Sequence, residues 1–188
     1  METVEPDQPV LRRAQASVDF EVLLQLFRDQ QVRRWLFDGR EIDATTAWSI
    51  VSDEDARPDS ALGLWVLSER ATPFGFFRLA ASGHAPGGAE AELLYGLAPS
   101  HWGQGWATRA SACLIDRAFG SDGLMSITAT VDTPNHASLR VLQRLGIAFE
   151  EERLLASGPT QFWRLPRAAW RPEQWRDALL RFRPMLET

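Results

Sequence analysis

The hydrophobic positions of the chain follow two periods, which together predict a mixture of strands and helices. Alternating or β-branched apolar runs predict strands over 9–12, 62–68, 74–80, 91–97, 126–131, 147–155 and 161–165. Apolar residues spaced three and four apart predict helices over 18–29, 31–37, 46–51, 107–119, 136–145 and 172–183. The middle of the chain runs strand–helix–strand–helix, so we expect an α+β or α/β domain around one sheet.

Local signals mark where these elements begin and end. Ser17 is placed to cap the first helix, and Asn135 is placed to cap the helix over 136–145. A turn around 71–73 joins two of the predicted strands as a hairpin. Polar or glycine- and proline-rich stretches near 52–60 and 81–89 predict loops.

The segment 95–108 carries the strongest chemical signal. A strand runs into a turn that contains Gly103 and Gly105, and the turn opens a helix. The first N–H groups of a helix have no internal partner and lie at its positive end, so several can donate to one diphosphate. Glycine lets the backbone approach an anion closely, and Thr108 adds a hydroxyl. The segment predicts either a phosphate-binding turn or a glycine-rich turn without a ligand.

Two familiar phosphate motifs do not fit these residues. The chain contains no lysine, which excludes a P-loop and Schiff-base chemistry. The dinucleotide fingerprint needs Gly or Ala where Thr108 stands. A dinucleotide-dependent oxidoreductase is another possible function, and these residues argue against it.

The next helix start adds a second candidate site. Ser138 falls in register with the apolar positions of the helix over 136–145, which are Val141, Leu142 and Leu145. A serine at such a position is either a small core residue bonded to its own backbone or a hydroxyl offered to a ligand. The pattern alone leaves both interpretations open.

Composition narrows the classes of function. The 188 residues carry a net charge of -5, and no apolar run is long enough to cross a bilayer. We therefore expect no nucleic-acid partner and no membrane association. The acidic first residues do not form a signal peptide, so the expected compartment is the cytoplasm. Cys113 is the only cysteine, which excludes an internal disulfide, and the scattered histidines predict no metal site.

Four blocks of residues, taken together, resemble the GNAT superfamily of acyl-CoA-dependent N-acetyltransferases. They are Glu92-Leu93-Leu94-Tyr95, Trp102-Gly103-Gln104-Gly105-Trp106-Ala107-Thr108, Asn135-His136-Ala137-Ser138 and Leu145-Gly146. Within the superfamily they look most like the branch of ribosomal-protein N-terminal acetyltransferases (RimJ/RimL-like). The matched core covers about 91–150, and the order of elements on either side also fits.

The resemblance implies a fold and a cofactor site. The fold would be α+β in α/β/α layers, with one mixed, largely antiparallel sheet that splays at the cofactor site and carries helices on both faces. The chain, 1–188, would be one acyl-CoA N-acyltransferase domain with a helical extension over 167–188. Acetyl-CoA would be the cosubstrate, and no metal would be needed. The implied binding residues are Leu97, Trp102, Gly103, Gln104, Gly105, Trp106, Ala107, Thr108 and Asn135.

The resemblance also implies direct transfer of acetyl to a primary amine, without a covalent enzyme intermediate. Glu92 would be the base, directly or through water, with Glu90 as the alternative. Many members carry a tyrosine acid on the helix after Asn135, but this chain offers only Ser138 there to protonate or hydrogen-bond the departing thiolate. Cys113, in the middle of a predicted helix, is expected to be buried and inert.

The acceptor is less well specified. The helices within 18–51 and the loop near 81–89 would form its wall, where Trp35, Phe37 and Trp48 offer aromatic surface. A protein or peptide N-terminus, a polyamine, an aminoglycoside-type amine or another small amine would fit. The alternative hypothesis is a CoA-binding module that senses or scaffolds without catalysis. The last helix would either cap the sheet edge or form a homodimer contact.

Overall fold

The computed structural model of the protein describes residues 9–52, 60–81 and 89–186, and its elements follow the predicted order. The strands are β1 (Val10–Arg13), β2 (Gly63–Glu69), β3 (Thr72–Ala81), β4 (Glu90–Leu97), β5 (Ser126–Asp132), β6 (Ala148–Leu155) and β7 (Gly158–Pro166). The helices are α1 (Ala16–Arg28), α2 (Gln30–Arg33), α3 (Ala44–Val51), α4 (Trp106–Ser121), α5 (His136–Leu145) and α6 (Arg176–Leu186). Most of the two predicted loops near 52–60 and 81–89 lies outside the described residues.

The seven strands form one sheet in the order β1-β2-β3-β4-β5-β7-β6. Every neighbouring pair is antiparallel except β4 and β5, which run parallel and are connected through α4. Such a crossover needs a helix between its strands, and α4 is the helix that the apolar spacing predicts. The expected mixed, largely antiparallel sheet is confirmed.

Helices cover both faces of the sheet because the strands alternate their side chains between two apolar clusters. One cluster joins the sheet to α1, α2 and α3 through Phe27, Val32, Val51, Val66 and Phe76. The other joins it to α4, α5 and α6 through Leu93, Leu97, Leu114, Leu142 and Phe182. Within the described ranges, no helix combines the length and apolar character that crossing a membrane requires.

The start of α1 differs from the prediction that Ser17 caps it. The helix begins at Ala16, and the cap position is Gln15. Asp19, which is completely buried, accepts a hydrogen bond from the Gln15 N–H at 2.7 Å and binds both Arg12 amino groups at 2.7 Å. A carboxylate one turn inside the helix therefore satisfies its N-terminus, and the serine hydroxyl is not needed.

The C-terminal extension packs against the body of the protein. Helix α6 contacts α4 and the edge strand β1, and its Ala178 and Phe182 are buried. Before α6, the Trp170 indole N–H donates to the Asp116 carboxylate of α4 at 2.9 Å. Of the two roles expected for the last helix, capping the sheet edge is the one that these contacts support.

Candidate functional site

The site begins where β4 and β5 stop pairing. Their parallel ladder covers only three residue pairs and ends at Glu92 and Thr128. Beyond that point β4 keeps its ladder to β3 as far as Leu97, and β5 keeps its ladder to β7 as far as Asp132. The two strands diverge, so the expected splay is confirmed, and the gap opens into a cavity of about 410 Å³.

The main chain of β4 presents hydrogen-bonding groups to this gap. Ala98 N–H donates to the Phe74 carbonyl of β3 at 2.7 Å. Because successive residues of a strand point their main-chain groups to opposite sides, those of Tyr95 and Leu97 face away from β3, toward the gap. The Leu97 carbonyl accepts from the Trp102 indole N–H at 2.7 Å, so Trp102 ties the following turn to the end of β4.

The predicted phosphate turn forms between a 3-10 turn at Pro99–His101 and the start of α4. Gly103 and Gly105 have φ values of +76° and +79°, a region that favours glycine. Gly105 is the N-cap of α4 and has no side chain with which to cap the helix. The N–H groups of the first helical turn are therefore left for another acceptor.

Thr108 supplies an independent sign of a missing partner at this turn. Its side chain is 5% exposed and lines the cavity. Its hydroxyl oxygen is buried and has no hydrogen-bond partner within the described part of the chain. Buried hydroxyls are normally satisfied, so an orphaned one beside free helix N–H groups marks a place that suits a ligand oxygen.

Gln104 and Trp106 brace the turn with their side chains. The Gln104 amide donates to the Ser100 carbonyl at 3.1 Å, and its oxygen accepts from the Trp106 indole N–H at 3.1 Å. The Trp106 ring is buried in the core, and the Arg109 guanidinium lies 4.3 Å from its centroid. Gln104 is the one predicted binding residue that does not line the cavity.

The start of α5 faces the turn across the cavity. Asn135 is the N-cap of the helix, as predicted, and its side-chain oxygen accepts from the Ser138 N–H at 3.1 Å. The Ser138 hydroxyl is 2.7 Å from the Tyr95 hydroxyl of β4. Burial raises the pKa of Tyr95 to about 12, although the Ser138 hydrogen bond acts in the opposite direction.

Tyr95 is the residue whose contribution the sequence reasoning missed. The expected position for a tyrosine was the helix after Asn135, and the chain instead brings one from the neighbouring strand. Strand alternation offered a signal, because it places Tyr95 on the same face as Leu93 and Leu97, which pack toward α4 and α5. Ser138 projects from the buried side of α5 to that face.

Glu92 and Glu90 lie in different surroundings. Glu92 is exposed and lines the cavity at the last position of β4 that pairs with β5. Glu90 is buried, accepts from the Ser126 hydroxyl at 2.7 Å and forms an ion pair with Arg164 of β7. Only Glu92 is placed to meet a molecule in the gap.

The opposite end of the cavity is aromatic and acidic. It is lined by Trp35, which follows α2, by Phe37 and Asp38 of the next 3-10 turn, and by Asp132 of β5. Burial, and next the negative charge of Asp38, raise the pKa of Asp132. Trp48 does not line the cavity; it is 47% exposed and makes an edge contact with Phe20, 5.0 Å between centroids.

Cys113 takes no part in the site. Its thiol is buried in α4 and donates to the Ala178 carbonyl of α6 at 3.3 Å. Burial and the nearby Asp116 charge raise its pKa to about 12, which disfavours the reactive thiolate, and the expectation of a buried thiol is confirmed. In the described ranges, no cluster of three or more His, Cys, Asp or Glu side chains is arranged to hold a metal ion.

Comparison with known proteins agrees with this geometry. A family model described as "Acetyltransferase (GNAT) domain" matches residues 10–148. The uncharacterised N-acetyltransferase YoaA of Bacillus subtilis is 28% identical over 81% of this chain and 85% of its own. The uncharacterised N-acetyltransferase p20 of Bacillus licheniformis is 42% identical, over only 35% of each chain.

Among solved structures, the fold is similar to that of the aminoglycoside acetyltransferase AAC(6')-Ib in complex with coenzyme A. The TM-score is 0.72 at 15% identity, covering 90% of this chain and 99% of that one. At this identity the likeness concerns the fold.

Proposed function

The chain belongs to the GNAT acetyltransferase family, and from that premise we propose that it transfers an acetyl group from acetyl-CoA to a primary amine. One observation carries the proposal: a single cavity joins the uncapped glycine turn, the gap beside β4, and the side chains of Glu92 and Ser138. These are the groups needed to hold a phosphorylated thioester, accept a proton from an amine and assist a leaving thiolate.

The turn would hold the pyrophosphate of coenzyme A. Backbone N–H groups over 103–108 would donate to its oxygens, and the Thr108 hydroxyl would gain the partner that it lacks. The solved structure of AAC(6')-Ib contains coenzyme A in a similar fold, which supports a cofactor of this class. Gln104 would contribute through its backbone, since its side chain braces the turn.

The pantetheine arm would lie in the gap between β4 and β5. The main chain of Tyr95 and the N–H of Leu97 face this gap and would bond its amides. The Leu97 carbonyl already accepts from Trp102, so ligand contact there would come from the N–H unless the indole moves aside. Asn135 would bond the arm or the adjoining turn from the other wall of the cavity.

The reaction would be a direct displacement at the thioester. The amine nitrogen forms the new bond to the acetyl carbon, its proton passes to Glu92 directly or through water, and the C–S bond breaks to release the thiolate. The Ser138 hydroxyl donates to the departing sulfur, and the Tyr95 hydroxyl donates to the Ser138 oxygen. Its high pKa keeps Tyr95 protonated for this role. A backbone N–H near Leu97 donates to the acetyl oxygen as it gains charge.

Cationic acceptors fit the other end of the cavity better than neutral ones. Glu92, Asp38 and Asp132 place carboxylates there, beside the rings of Trp35 and Phe37. A polyamine, an aminoglycoside-type amine or a basic peptide N-terminus would match this surface. AAC(6')-Ib is itself an aminoglycoside acetyltransferase of similar fold. The four blocks noted in the sequence favour the RimJ/RimL-like branch, and hence a peptide N-terminus.

The deciding experiment is a thermal shift with acetyl-CoA and with NADH as control. Acetyl-CoA at 100-fold excess over its dissociation constant should add about 2.7 kcal/mol, or roughly 5–10 °C for a chain of this size. NADH should add nothing. No shift with saturating acetyl-CoA would overturn the proposal.

The alternative, a CoA-binding module without catalysis, predicts the same thermal shift but no transfer of the acetyl group. The absence of a tyrosine from α5 favours this alternative, but the hydrogen bond between Tyr95 and Ser138 weakens that argument. A thiol-release assay over peptide N-termini, polyamines and aminoglycosides separates the two. Release that requires both acetyl-CoA and an amine supports the enzyme, whereas binding without release for any amine supports the module.

A further inference from the structure

Side chains bridge the closed end of the gap, where β4 and β5 still pair. Glu90, at the start of β4, pairs with Ser126 of β5 in the ladder. The Ser126 hydroxyl donates to the Glu90 carboxylate at 2.7 Å, and Arg164 of β7 forms an ion pair with the same carboxylate. The Arg164 guanidinium also donates to the Ser126 oxygen at 2.9 Å and to Glu150 of β6 at 2.8 Å. These four residues, the cross-strand network, join four neighbouring strands.

The cross-strand network lies on the face of the sheet that carries α1, α2 and α3. Ala91 and Ile127 are buried against α4 on the opposite face, and neighbouring residues of a strand alternate, so Glu90 and Ser126 point to the α1 face. The apolar cluster on the α1 face takes its strand residues from β2 and β3. The residues of the β4–β5 ladder on this face are all polar. Polar contacts therefore connect β4 to β5 and β7 here.

Burial makes these contacts strong. Glu90 is 5% exposed and Ser126 is 7% exposed. A buried carboxylate keeps its charge only when it is paired, so the ion pair with Arg164 fixes the position of both side chains. The planar guanidinium bonds its several partners in a rigid geometry. The network therefore holds β4 at a fixed distance from β7, with β5 between them.

We infer that the cross-strand network positions the cosubstrate gap, with Arg164 as the central positioning residue. The inference rests on the proposed function, which puts the pantetheine arm between β4 and β5. The arm would contact the main chain of β4 on one side and Asn135 on the other, so its affinity depends on the spacing of the two strands. Three main-chain pairs and the network set that spacing at the closed end. Without the network, acetyl-CoA itself would have to order the gap, and its affinity would fall.

Arg164→Met is the main test, because it removes the charge and the hydrogen bonds but keeps much of the length of the side chain. The affinity for acetyl-CoA, measured by calorimetry, should fall about tenfold, within the usual range for coupling between two parts of a protein. ADP carries a diphosphate but no pantetheine arm, so its affinity should be the same in wild type and variant. Arg164→Lys, which keeps the charge, should recover part of the loss.

Two control variants separate positioning from a general loss of stability. Arg153→Met removes another arginine of this hairpin, whose ion pair with Glu151 lies within β6. Val51→Ala weakens the apolar cluster on α3, away from the cavity. Both variants should bind acetyl-CoA as wild type does, although Val51→Ala should be less stable.

The inference would be overturned if Arg164→Met binds acetyl-CoA with wild-type affinity. An equal loss of affinity for ADP, or an equal loss in either control variant, would overturn it too. If Arg164→Met does not fold, Ser126→Ala replaces it: this change removes the shared hydroxyl and should weaken acetyl-CoA binding about threefold. Unchanged binding in Ser126→Ala would then count against the network. Failure of the wild-type protein to bind acetyl-CoA at all would instead overturn the proposed function.

Discussion

The two ends of the cavity between β4 and β5 are lined by groups of opposite charge. At the cofactor end, two glycines in the left-handed region leave helix N–H groups uncapped, and Arg140 and Arg144 add positive charge from α5. At the proposed acceptor end, the cavity is lined by the carboxylates of Glu92, Asp38 and Asp132 and by the ring of Trp35. One end is suited to an anion and the other to a cation.

This contrast shows how one pocket can orient two substrates. A polyanion such as coenzyme A would be attracted to the α4 end and repelled from the acidic end, and a cationic amine would behave in the opposite way. In the proposed reaction, the two substrates would meet in the gap between β4 and β5. If the contrast governs function, changes at each end should affect one substrate and spare the other.

The largest expected effect is at the cofactor end. Gly105→Glu places a side chain at φ +79° and a carboxylate in the anion site, so acetyl-CoA affinity should fall by more than about 100-fold, the result of losing several charge-assisted bonds. Calorimetry measures it. Gly123→Glu is the matched control, because Gly123 has φ +66° and does not line the cavity. Equal loss of affinity in both variants would show that backbone strain, and not the phosphate turn, is responsible.

The next largest effect is expected from removing the proposed base. Glu92→Gln keeps the shape but cannot take the proton, so kcat should fall about 100-fold while acetyl-CoA affinity stays the same. Thiol release at saturating substrates measures kcat across pH. Full activity of this variant at every pH would remove Glu92 from the mechanism.

Glu90→Gln provides the contrast for that experiment. It breaks the buried contacts to Ser126 and Arg164, so the protein should be less stable while the folded molecules keep their kcat.

A smaller effect is expected at the boundary between the two ends. Tyr95→Phe removes the hydroxyl bonded to Ser138 and should lower kcat about tenfold, with acetyl-CoA affinity almost unchanged. Ser138→Ala should have an effect at least as large, because in the proposed mechanism Tyr95 acts through Ser138. A Tyr95→Phe enzyme with wild-type kcat would mean that the pair serves packing alone.

The pKa of Tyr95 gives the same variant a pH signature. Burial raises this pKa from 10 to about 12, so the folded state holds the phenolic proton more tightly than the unfolded chain. Its contribution to stability is full below pH 10 and is lost as pH rises through about 12. Urea unfolding should therefore show wild type losing more stability than Tyr95→Phe between pH 9 and pH 11.

The smallest effect is expected at the acidic end of the cavity. Asp38→Asn removes an exposed charge, so KM for spermidine should rise only about threefold, and less at high salt. It should also bring the pKa of Asp132 closer to its ordinary value. Glu21→Gln is the control, because Glu21 is an exposed residue of α1 that does not line the cavity. An unchanged KM for spermidine at low salt would show that this end does not select cations.

Sequence reasoning was most successful where the chemistry lies within one short segment. The residues of 102–108 are contiguous, so spacing alone placed their backbone at a helix N-terminus. The acceptor end gathers Trp35, Glu92 and Asp132 from distant elements, and the register that brings them together is set by the sheet as a whole. Tyr95 and Ser138 are likewise 43 positions apart, so no local pattern joins them.

The fold shows the same division. Periodicity predicted each strand and most helix boundaries, because both depend on neighbouring residues. It could not predict that β7 lies between β5 and β6, which depends on long-range pairing. The Ser17 cap failed for a related reason: the carboxylate of Asp19 is fixed by Arg12 from a different element, and it satisfies the helix first.

The short ladder of three residue pairs between β4 and β5 also has a mechanical consequence. It divides the sheet into a four-strand half and a three-strand half, with α4 as the chain connection between them. A cosubstrate bound in the gap would contact both halves of the sheet and hold them together. Amide hydrogen exchange would test this, because the Leu97 N–H faces the gap and its exchange rate would fall when the cosubstrate binds. The Ala98 amide, already bonded to Phe74, would be slow throughout.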